Sequence, residues 1–394
     1  MKTQKIVILL LTGIGLVALG VVGFRSPEPT TAASKADQRI LQAVRAIERM
    51  PDRSEGYNQL AAAYMQLARE TFDFELNSKA EEAIKRSLEV EADNYDALKL
   101  RAKLQLTYHR FNEALETARR AQTIRTDDHD VWGQMTDAFV ELGDYARAVE
   151  AAQKMVDLRP DSSSYARVSY LRSLHGDTQG AIQAMRAAVR AANPNDAEAM
   201  AWCRVQLGNE LMNAGRLGDA EREFDEALRI FKDHPLALRA KAEARVAAGD
   251  VQRAIEISER EVANGASADA AQMLGDLYTR LGRQDDAAKA YQKFEMLERE
   301  NAVIEKSWRH LVNHWLDHDQ NLEQALTLAT QEYETRKDIF TCDSLAWALF
   351  KNGRTAEAKK FIKEALRTGS KDTRINYHAG MIYNSAKKMG TELN

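Results

Sequence analysis

Small alanine residues recur along this chain at an almost constant interval, and that interval restricts the fold more than any other feature. Ala80, Ala114 and Ala148 follow one another at 34-residue steps. The series continues at intervals of 33, 39, 34, 33, 38 and 33 residues, through Ala181, Ala220, Ala254, Ala287, Ala325 and Ala358. Small side chains at a fixed spacing let helices approach one another closely. The sequence therefore predicts an array of similar units rather than a single globule.

Each unit is predicted to be a pair of helices joined by a tight turn, as residues 132–160 illustrate. Trp132, Met135 and Phe139 stand at i, i+3 and i+7, which places them on one face of a helix. Gly143 interrupts this run, and a second periodic run ends at Pro160. Turn glycines stand five residues before most of the repeated alanines, at Gly143, Gly176, Gly215, Gly249, Gly282 and Gly353.

The composition supports an all-α chain. Hydrophobic residues make up 44% and charged residues 29% of the 394 residues, with only six prolines, and no run alternates β-branched residues as a strand would. Residues 36–49 form an amphipathic stretch that predicts a capping helix before the first unit. About nine units follow, and Ala379 lies in a first helix whose partner cannot form before Asn394. The segment ETFDFELNS, residues 70–78, is longer than the other turns and is predicted to be an extended connection.

The spacing of Trp132, Ala148 and Pro160 resembles the skeleton of the tetratricopeptide repeat (TPR) family. This resemblance extends over residues 36–394 and implies a right-handed α-solenoid whose first helices line a concave face. Four segments are also similar to a group of exported or membrane-anchored bacterial TPR proteins that have no assigned activity: residues 158–177, 316–326, 343–354 and 377–383.

The N-terminal residues differ in character from the rest of the chain. Residues 6–24 carry no charge, and thirteen of these nineteen are Ile, Leu, Val or Phe. A helix of this length reaches about 28 Å, close to the ~30 Å hydrocarbon core of a bilayer. Lys2 and Lys5 precede the run, so residues 1–25 are predicted to be a signal anchor or a signal peptide, followed by a Pro/Ser/Thr linker at 26–35.

The length of the apolar run favours an uncleaved anchor, although Val21 and Gly23 suit a cleavage site. We therefore expect a single-pass protein of the bacterial inner membrane whose body is extracytoplasmic. If the segment is cleaved, the body would be periplasmic or secreted. The net charge of −4 gives no general attraction to nucleic acid or to an acidic membrane.

The resemblance implies that partner-binding residues lie on the first helices, offset from the residues that pack. Carried onto this sequence, the predicted groove residues are Asn58, Lys99, Lys103, Asp137, Asn209, Arg239, Glu243, Gln272, Asp276 and Trp347. The set of Lys, Asn and Arg with which some TPR domains bind a terminal carboxylate is not reproduced. Their mixed polarity favours an extended protein segment as partner. Alternatively, Lys99 and Lys103 form a solvated face, Asn209 faces water and Trp347 belongs to the packing.

No catalytic motif is present, so we expect no enzyme and no cofactor. His310, His314 and His318 recur at i, i+4 and i+8, a spacing that can bind zinc, but the glutamate of a HExxH motif is missing. Because stacked repeats contact mainly their neighbours, Cys203 and Cys342 are not expected to meet. The sequence predicts a membrane-tethered scaffold that binds a protein or peptide in its groove. The alternatives are an assembly subunit docking through its C-terminal half-repeat, with a homo-oligomer possible, and a metal-binding protein using the three histidines.

Overall fold

The computed structural model describes residues 35–71, 73, 75–265, 267–305 and 307–391. These residues form twenty α-helices and their connections, and no strand occurs among them. The predicted apolar helix at 6–24 and most of the predicted linker lie outside the described residues. Among the helices that are described, none is both long and apolar enough to cross a bilayer.

Eighteen consecutive helices pair into nine units, and one further helix stands at each end. The leading helix and units 1 to 4 are α1 Lys35–Arg49, α2 Ser54–Thr71, α3 Glu75–Val90, α4 Tyr95–Thr107, α5 Phe111–Ile124, α6 His129–Glu141, α7 Tyr145–Leu158, α8 Ser162–Leu174 and α9 Thr178–Ala191. Units 5 to 9 and the last helix are α10 Ala197–Asn213, α11 Leu217–Ile230, α12 Pro235–Ala247, α13 Val251–Asn264, α14 Ala268–Arg280, α15 Gln284–Glu305, α16 Arg309–Asp317, α17 Leu322–Thr335, α18 Ile339–Lys351, α19 Thr355–Ala365 and α20 Thr373–Thr391. The predicted capping helix, nine pairs and terminal half-repeat are confirmed.

The turn inside each unit uses left-handed backbone, as the glycine pattern predicted. All six predicted turn glycines have φ between +72° and +80°, a region that glycine enters without a Cβ penalty. Unit 8 has no glycine in its turn, and there Asp319 and Asn321 take φ of 55° and 44°. In unit 2, His109 occupies the same conformation with φ of 53°. Asp and Asn tolerate this region better than other non-glycine residues.

The repeated alanines form the contact between the two helices of each unit. All nine are at most 2% exposed. Two glycines mark where the helices are closest. A Cβ on Gly208 would lie 2.2 Å from the ring of Phe224, and one on Gly275 would lie 2.3 Å from the ring of Tyr291. Close approach at small residues, with aromatic rings filling the adjacent space, therefore sets the geometry of these units.

The predicted long connection in unit 1 is wrong. Helix α2 continues to Thr71 and α3 begins at Glu75, so most of residues 70–78 is helical. The residues of this segment favour helix over turn because it contains no glycine or proline. The extra length appears instead as an 18-residue first helix, where α4 and α6 have 13.

Contacts between units show which helices lie on the inside of the curve. First helices touch the first helix of the next unit at α2–α4, α4–α6, α6–α8, α8–α10, α10–α12, α16–α18 and α18–α20. Successive second helices make no comparable contact among the described residues. The first helices therefore form the inner, concave layer, as expected for this architecture.

The solenoid also folds back on itself, which the expectation of neighbour-only contacts missed. The backbone N–H of Lys337 donates to the carbonyl of Glu141 at 2.9 Å, and the N–H of Ile339 donates to the Tyr145 hydroxyl at 2.9 Å. A Cβ on Gly143 would lie 2.5 Å from the Lys337 carbonyl oxygen. We call this contact between units 3–4 and units 8–9 the inter-turn interface. It joins segments nearly 200 residues apart in sequence.

A buried ion network lies within the inter-turn interface. Arg336 is 6% exposed, and its Nε lies 2.6 Å from Glu141 Oε2 and 3.0 Å from Asp338 Oδ2. Its Nη1 lies 3.5 Å from Glu332 Oε1, and its guanidinium lies over the ring of Phe111. Burial alone would lower the pKa of this arginine, but the three surrounding carboxylates raise it. Arg336 therefore remains charged although it is buried.

Candidate binding pocket on the inner helical face

A cavity of about 400 Å³ opens between the first helices of units 3, 4 and 5. We call it the inner pocket. Its lining comes from α6, α8 and α10, with Met185 of α9 beneath. The residues that line it are Asp137, Ser162, Ser163, Ala166, Arg167, Ser169, Tyr170, Met185, Ala199, Trp202, Cys203, Gln206 and Glu210. A mainly apolar pocket with a few polar groups is the usual form of a ligand site.

Arg167 fixes one wall of the inner pocket. Its Nε and Nη2 donate to the two carboxylate oxygens of Asp137 at 2.8 and 2.6 Å. Its Nη1 donates to Ser163 Oγ at 2.6 Å, and its Nε also reaches the Gly133 carbonyl at 3.1 Å. A Cβ on Gly133 would lie 3.1 Å from the guanidinium carbon. These bonds hold Arg167 in one position, so it serves as a structural wall rather than a free cation.

Two aromatic side chains line the pocket. Tyr170 on α8 is 43% exposed, and Trp202 on α10 is half-buried. Burial in the surrounding protein raises the pKa of Tyr170, so its hydroxyl stays protonated and can donate a hydrogen bond. Aromatic side chains that are only partly covered often anchor a partner. The pair therefore supplies an apolar surface with a polar rim.

Acceptor groups lie beside these aromatics. Asn209, one helical turn beyond Gln206 on α10, has a buried Oδ1 that forms no hydrogen bond within the described structure. Ser173 Oγ donates to Glu210 Oε2 at 3.1 Å, and burial raises the pKa of that glutamate. Cys203 is buried beneath the pocket, and burial raises the pKa of its thiol to about 12, so it is unreactive.

Lys103 supplies positive charge at the inner face of unit 2. Its side chain is exposed to solvent, yet desolvation by the surrounding protein lowers its pKa to about 8. The charges of Arg69 and Arg167 act in the same direction. Arg69 of unit 1 also lies 3.7 Å from Glu198 of unit 5. Units that are distant in sequence therefore converge around this lysine.

The structure gives the other predicted groove residues of units 1 and 2 a structural environment. Lys99 Nζ donates to Asp128 at 2.8 Å and lies 3.4 Å from Asp130. Asn58 is only 8% exposed, donates to Asn94 at 2.8 Å and accepts from Ser87 at 2.7 Å. Both side chains connect neighbouring units. Of the predicted residues in this half, Lys103, Asp137 and Asn209 lie at or beside the inner pocket.

The predicted residues of the C-terminal half each interact with other side chains of the protein. Arg239 pairs with Glu261 and Asp269. The Glu243 side chain has a large solvent-accessible fraction, yet desolvation by the surrounding protein raises the pKa of its carboxyl group. Gln272 Nε2 lies 3.5 Å from His314 Nδ1. Asp276 accepts a hydrogen bond from the Tyr291 hydroxyl at 2.7 Å. Trp347 is 5% exposed and stacks on His378 with ring centroids 4.1 Å apart.

The three predicted histidines have different environments. His310 Nδ1 points to Asp269 at 3.5 Å, and His314 is buried against Phe294 with ring centroids 4.7 Å apart. His318 Nδ1 lies 2.8 Å from the His314 carbonyl, and its Nε2 lies 3.2 Å from the Tyr291 hydroxyl. Burial lowers the pKa of His314 to about 4. Their nitrogens therefore do not converge on one point.

Within the described residues, one group has ligand atoms close enough to share a cation. Asp128, His129 and Asp130 have ligand atoms within 4.8 Å of one another. The Lys99 ammonium already occupies this position beside both aspartates, and His129 Nε2 lies 3.0 Å from Asp161 Oδ2. The charge of this group is thus balanced by the protein itself.

The sequence analysis missed Tyr170, Trp202, Gln206 and Glu210. It placed no groove residue on α8, because unit 4 is one residue shorter than the repeat. The interval between Ala148 and Ala181 is 33 residues, and the residue 33 positions after Asp137 is Tyr170. Trp202 and Gln206 stand three residues before Val205 and Asn209 on α10. Including such neighbouring positions of each first helix in the predicted inner face would have identified them.

Sequence comparison decides the family. A profile described as Tetratricopeptide repeat matches residues 135–197 and 205–271, and a second profile with that description matches 268–301 and 341–368. The protein is a tetratricopeptide repeat protein. Proteins built from this repeat are typically non-enzymatic interaction scaffolds. No curated protein matches this TPR chain over its sequence.

Solved structures share the fold of this TPR protein at low identity. The human IFIT1 dimer with m7Gppp-AAAA is 12% identical, with a TM-score of 0.55, over 84% of this chain and 76% of that one. The APC/C hetero-tetramer Cut9-Hcn1 is 15% identical, with a TM-score of 0.51, over 86% of this chain. This TPR chain spans 58% of the length of that second protein. At this identity, the likeness shows the fold alone.

Proposed function

We propose that this TPR protein is a membrane-tethered scaffold that binds an extended protein segment along its concave face. The inner pocket is the observation that supports this function best. It has two partly covered aromatic side chains on the first helices of units 4 and 5, and the unpartnered acceptor of Asn209 lies one helical turn from Gln206 of its lining. A large apolar side chain of the partner would enter between Tyr170 and Trp202. A partner backbone N–H would donate to Asn209 or Gln206.

The charges beside the inner pocket favour an acidic residue in the partner segment. Lys103 forms no ion pair within the described structure, whereas Lys99 and Arg167 are already neutralised by aspartates. A partner carboxylate would therefore meet Lys103. The affinity of such a linear segment would be about micromolar, which corresponds to roughly −8 kcal/mol.

A displayed library of random peptides, selected on the full chain in detergent micelles, tests this function. Peptides that bind would be measured by anisotropy against the wild type and the Trp202→Ala and Tyr170→Ala variants. We expect each variant to weaken binding about tenfold or more, because each removes a partly buried aromatic anchor. Lys103→Glu should weaken acidic peptides most.

The matched control is Met296→Ala, which removes an exposed apolar side chain from the second helix α15. It should leave binding unchanged. Circular dichroism melting would establish that the Trp202 and Tyr170 variants remain folded. Selected peptides that bind these two variants as tightly as the wild type would reject the inner pocket as the binding site.

The membrane tether and the export of the body are part of the same proposal. They rest on the uncharged run at residues 6–24 and the lysines that precede it. Protease added to intact cells and to spheroplasts tests the topology. An extracytoplasmic body is digested in spheroplasts, and the chain stays in the membrane fraction after alkaline extraction. Protection of the body in spheroplasts would contradict export.

The apolar face of α20 favours docking to another chain as a second candidate function. Tyr377, Met381 and Tyr383 are 60%, 40% and 39% exposed. A Cβ on Gly380 would meet nothing within 4 Å, whereas the glycines at this position in units 5 and 7 lie against aromatic rings. Light scattering over a concentration series tests this. A Met381→Glu variant should shift an oligomer toward monomer, and a wild-type monomer at all concentrations would reject the idea.

A further inference from the structure

A second cavity, of about 330 Å³, lies between the second helix of unit 1 and the first helix of unit 2. We call it the outer pocket. Its floor is apolar and buried, formed by Ile84, Leu104 and Tyr108 with Leu88 partly covered. Along α3 it runs from Glu81 to Glu89, which is about 12 Å at 1.5 Å per residue. It is therefore an elongated trough, suited to an extended ligand.

The cause of this cavity is visible in the sequence of α4. At the two positions that correspond to Arg101 and Gln105 of unit 2, most first helices carry large apolar side chains that fill the space inside the unit. Examples are Met135 with Phe139, Leu207 with Leu211, and Leu345 with Leu349, all at most 6% exposed. Unit 2 has Arg101 and Gln105 at these places. The arginine is exposed and the buried glutamine is polar, so neither fills the unit as the paired apolar side chains of units 3, 5 and 9 do.

The buried amide of Gln105 is not satisfied inside this cavity. The side chain is 6% exposed, and its Oε1 has no hydrogen-bond partner among the described residues. Its Nε2 reaches Glu113 only at 3.4 Å. The Nε of Arg110, also in the lining, is likewise buried without a partner. A buried acceptor without a donor is costly to the fold, so its presence needs an explanation.

In unit 6 the polar residues at these places form ion pairs within the protein, although Arg245 Nε and Glu221 Oε1 are buried without a hydrogen-bond partner in the described structure. There Lys241 pairs with Asp225, and Arg245 pairs with Glu221, both on the preceding second helix α11. In unit 2 no such pairing exists for Gln105 Oε1. The outer pocket therefore lacks the ion-pair partners that helix α11 supplies to unit 6.

The charges around the outer pocket favour an acidic ligand. Glu81 pairs with Arg110 at 3.4 Å, and Glu89 pairs with Arg86 outside the lining at 2.8 Å. Lys85 and Arg101 form no ion pair among the described residues, and both are exposed at the rim. The uncompensated charge of the trough is thus positive.

We propose that the outer pocket binds a short, extended acidic peptide segment. One apolar side chain of the peptide lies on the floor, the neighbouring backbone N–H donates to Gln105 Oε1, and a flanking carboxylate meets Arg101 or Lys85. A peptide supplies all three groups at suitable spacing, whereas a simple fatty acid has no N–H donor. This site is separate from the inner pocket and doesn't depend on its function.

Saturation-transfer NMR with the peptide N-acetyl-Glu-Leu-Glu-amide tests the proposal on the full chain in deuterated detergent micelles. We expect saturation of the leucine methyl groups, with affinity of about millimolar. Gln105→Leu should weaken binding about tenfold or more, because it removes the acceptor. Its melting temperature should be unchanged or higher, since leucine occupies this place in units 5 and 9.

A charge exchange distinguishes the outer pocket from other sites. Arg101→Glu should weaken the acidic peptide and favour N-acetyl-Lys-Leu-Lys-amide. Trp202→Ala, in the inner pocket, is the matched control and should leave the acidic peptide bound. The proposal is overturned if the wild type shows no saturation, or if Gln105→Leu and Arg101→Glu bind as the wild type does. Loss of binding in Trp202→Ala alone would place the peptide in the inner pocket instead.

Discussion

The inter-turn interface and the inner pocket both contain polar and charged groups, but they differ in how far the protein compensates the charges. At the interface, Arg336 is surrounded by three carboxylates and the backbone N–H of Lys337 has a partner. In and beside the pocket, Asn209 Oδ1 and Lys103 have none within the described structure. The comparison indicates that charges compensated within the chain maintain the shape of this solenoid, whereas the uncompensated charge of Lys103 is available to a ligand.

The largest effect should come from removing the cation at the centre of the interface. Arg336→Ala leaves Glu141 and Glu332 without the cation they pair with, and leaves Asp338 paired with Arg309 alone. We expect a loss of about 3–5 kcal/mol in the free energy of unfolding, measured by denaturant titration. Arg354→Ala is the control, because Arg354 pairs with Glu357 at an exposed position. It should cost less than about 1 kcal/mol, and equal losses would remove the distinction between the two regions.

The next effect concerns two glycines with the same backbone and different surroundings. Gly143 and Gly353 have φ of +76° and +75°, but only the Cβ of Gly143 would strike another segment, at Lys337. In both alanine variants, the left-handed conformation lowers the free energy of unfolding by about 1–2 kcal/mol. Gly143→Ala should lose about 1–3 kcal/mol more through overpacking, measured by thermal unfolding. Equal losses would mean that the turns do not touch.

The fold should also lose stability in acid because of His109, whose ring stacks on Phe111 next to Arg336. Burial, together with the positive charges of Arg336 and Arg309 and the nearby His310, lowers the pKa of this histidine to about 3, although Asp338 acts in the opposite direction. The unfolded chain binds a proton below about pH 6.5 that the folded chain does not. The free energy of unfolding should therefore fall from pH 6.5 toward pH 3, by at most about 1.4 kcal/mol per unit for this group.

The variant that isolates this contribution is His109→Asn, since asparagine tolerates the φ of 53° found there. Its unfolding free energy, followed by denaturant titration from pH 7 to pH 4, should fall less steeply than that of the wild type. Identical slopes would show that His109 is not buried at the interface.

The smallest effect should come from the pocket side of the comparison. Asn209→Ala removes an acceptor that has no partner in the described fold. We expect a change of less than about 0.5 kcal/mol in the free energy of unfolding, together with weaker binding of selected peptides. A loss as large as that of Arg336→Ala would show that Asn209 is structural and that the contrast is wrong.

The fold was largely predictable because the same short-range sequence pattern recurs in each unit. The alanines, the turn glycines and Pro160 fix the helix pairs through close packing and left-handed turns, which depend on neighbouring residues only. The inter-turn interface was not predictable in this way. Glu141 and Arg336 lie 195 residues apart, and their meeting depends on the summed curvature of the intervening units, which no local pattern specifies.

The site was predictable only in outline. The resemblance placed Lys103, Asp137 and Asn209 on the inner layer, where the structure finds them. It could not show that Asp137 is neutralised by Arg167 or that Asn58 is buried between units. Those outcomes depend on side chains from the neighbouring unit. Tyr170 was missed because a one-residue shortening moves the register of a whole helix.

Hydrogen exchange at residues 336–340 tests most directly whether two turns of the solenoid are in contact. The amides of Lys337 and Ile339 precede or begin α18, where N–H groups have no partner within the helix. Here they donate to the Glu141 carbonyl and the Tyr145 hydroxyl. We predict slow exchange in the wild type that becomes fast in Gly143→Ala. Exchange as fast as in an unstructured chain in the wild type would contradict the account.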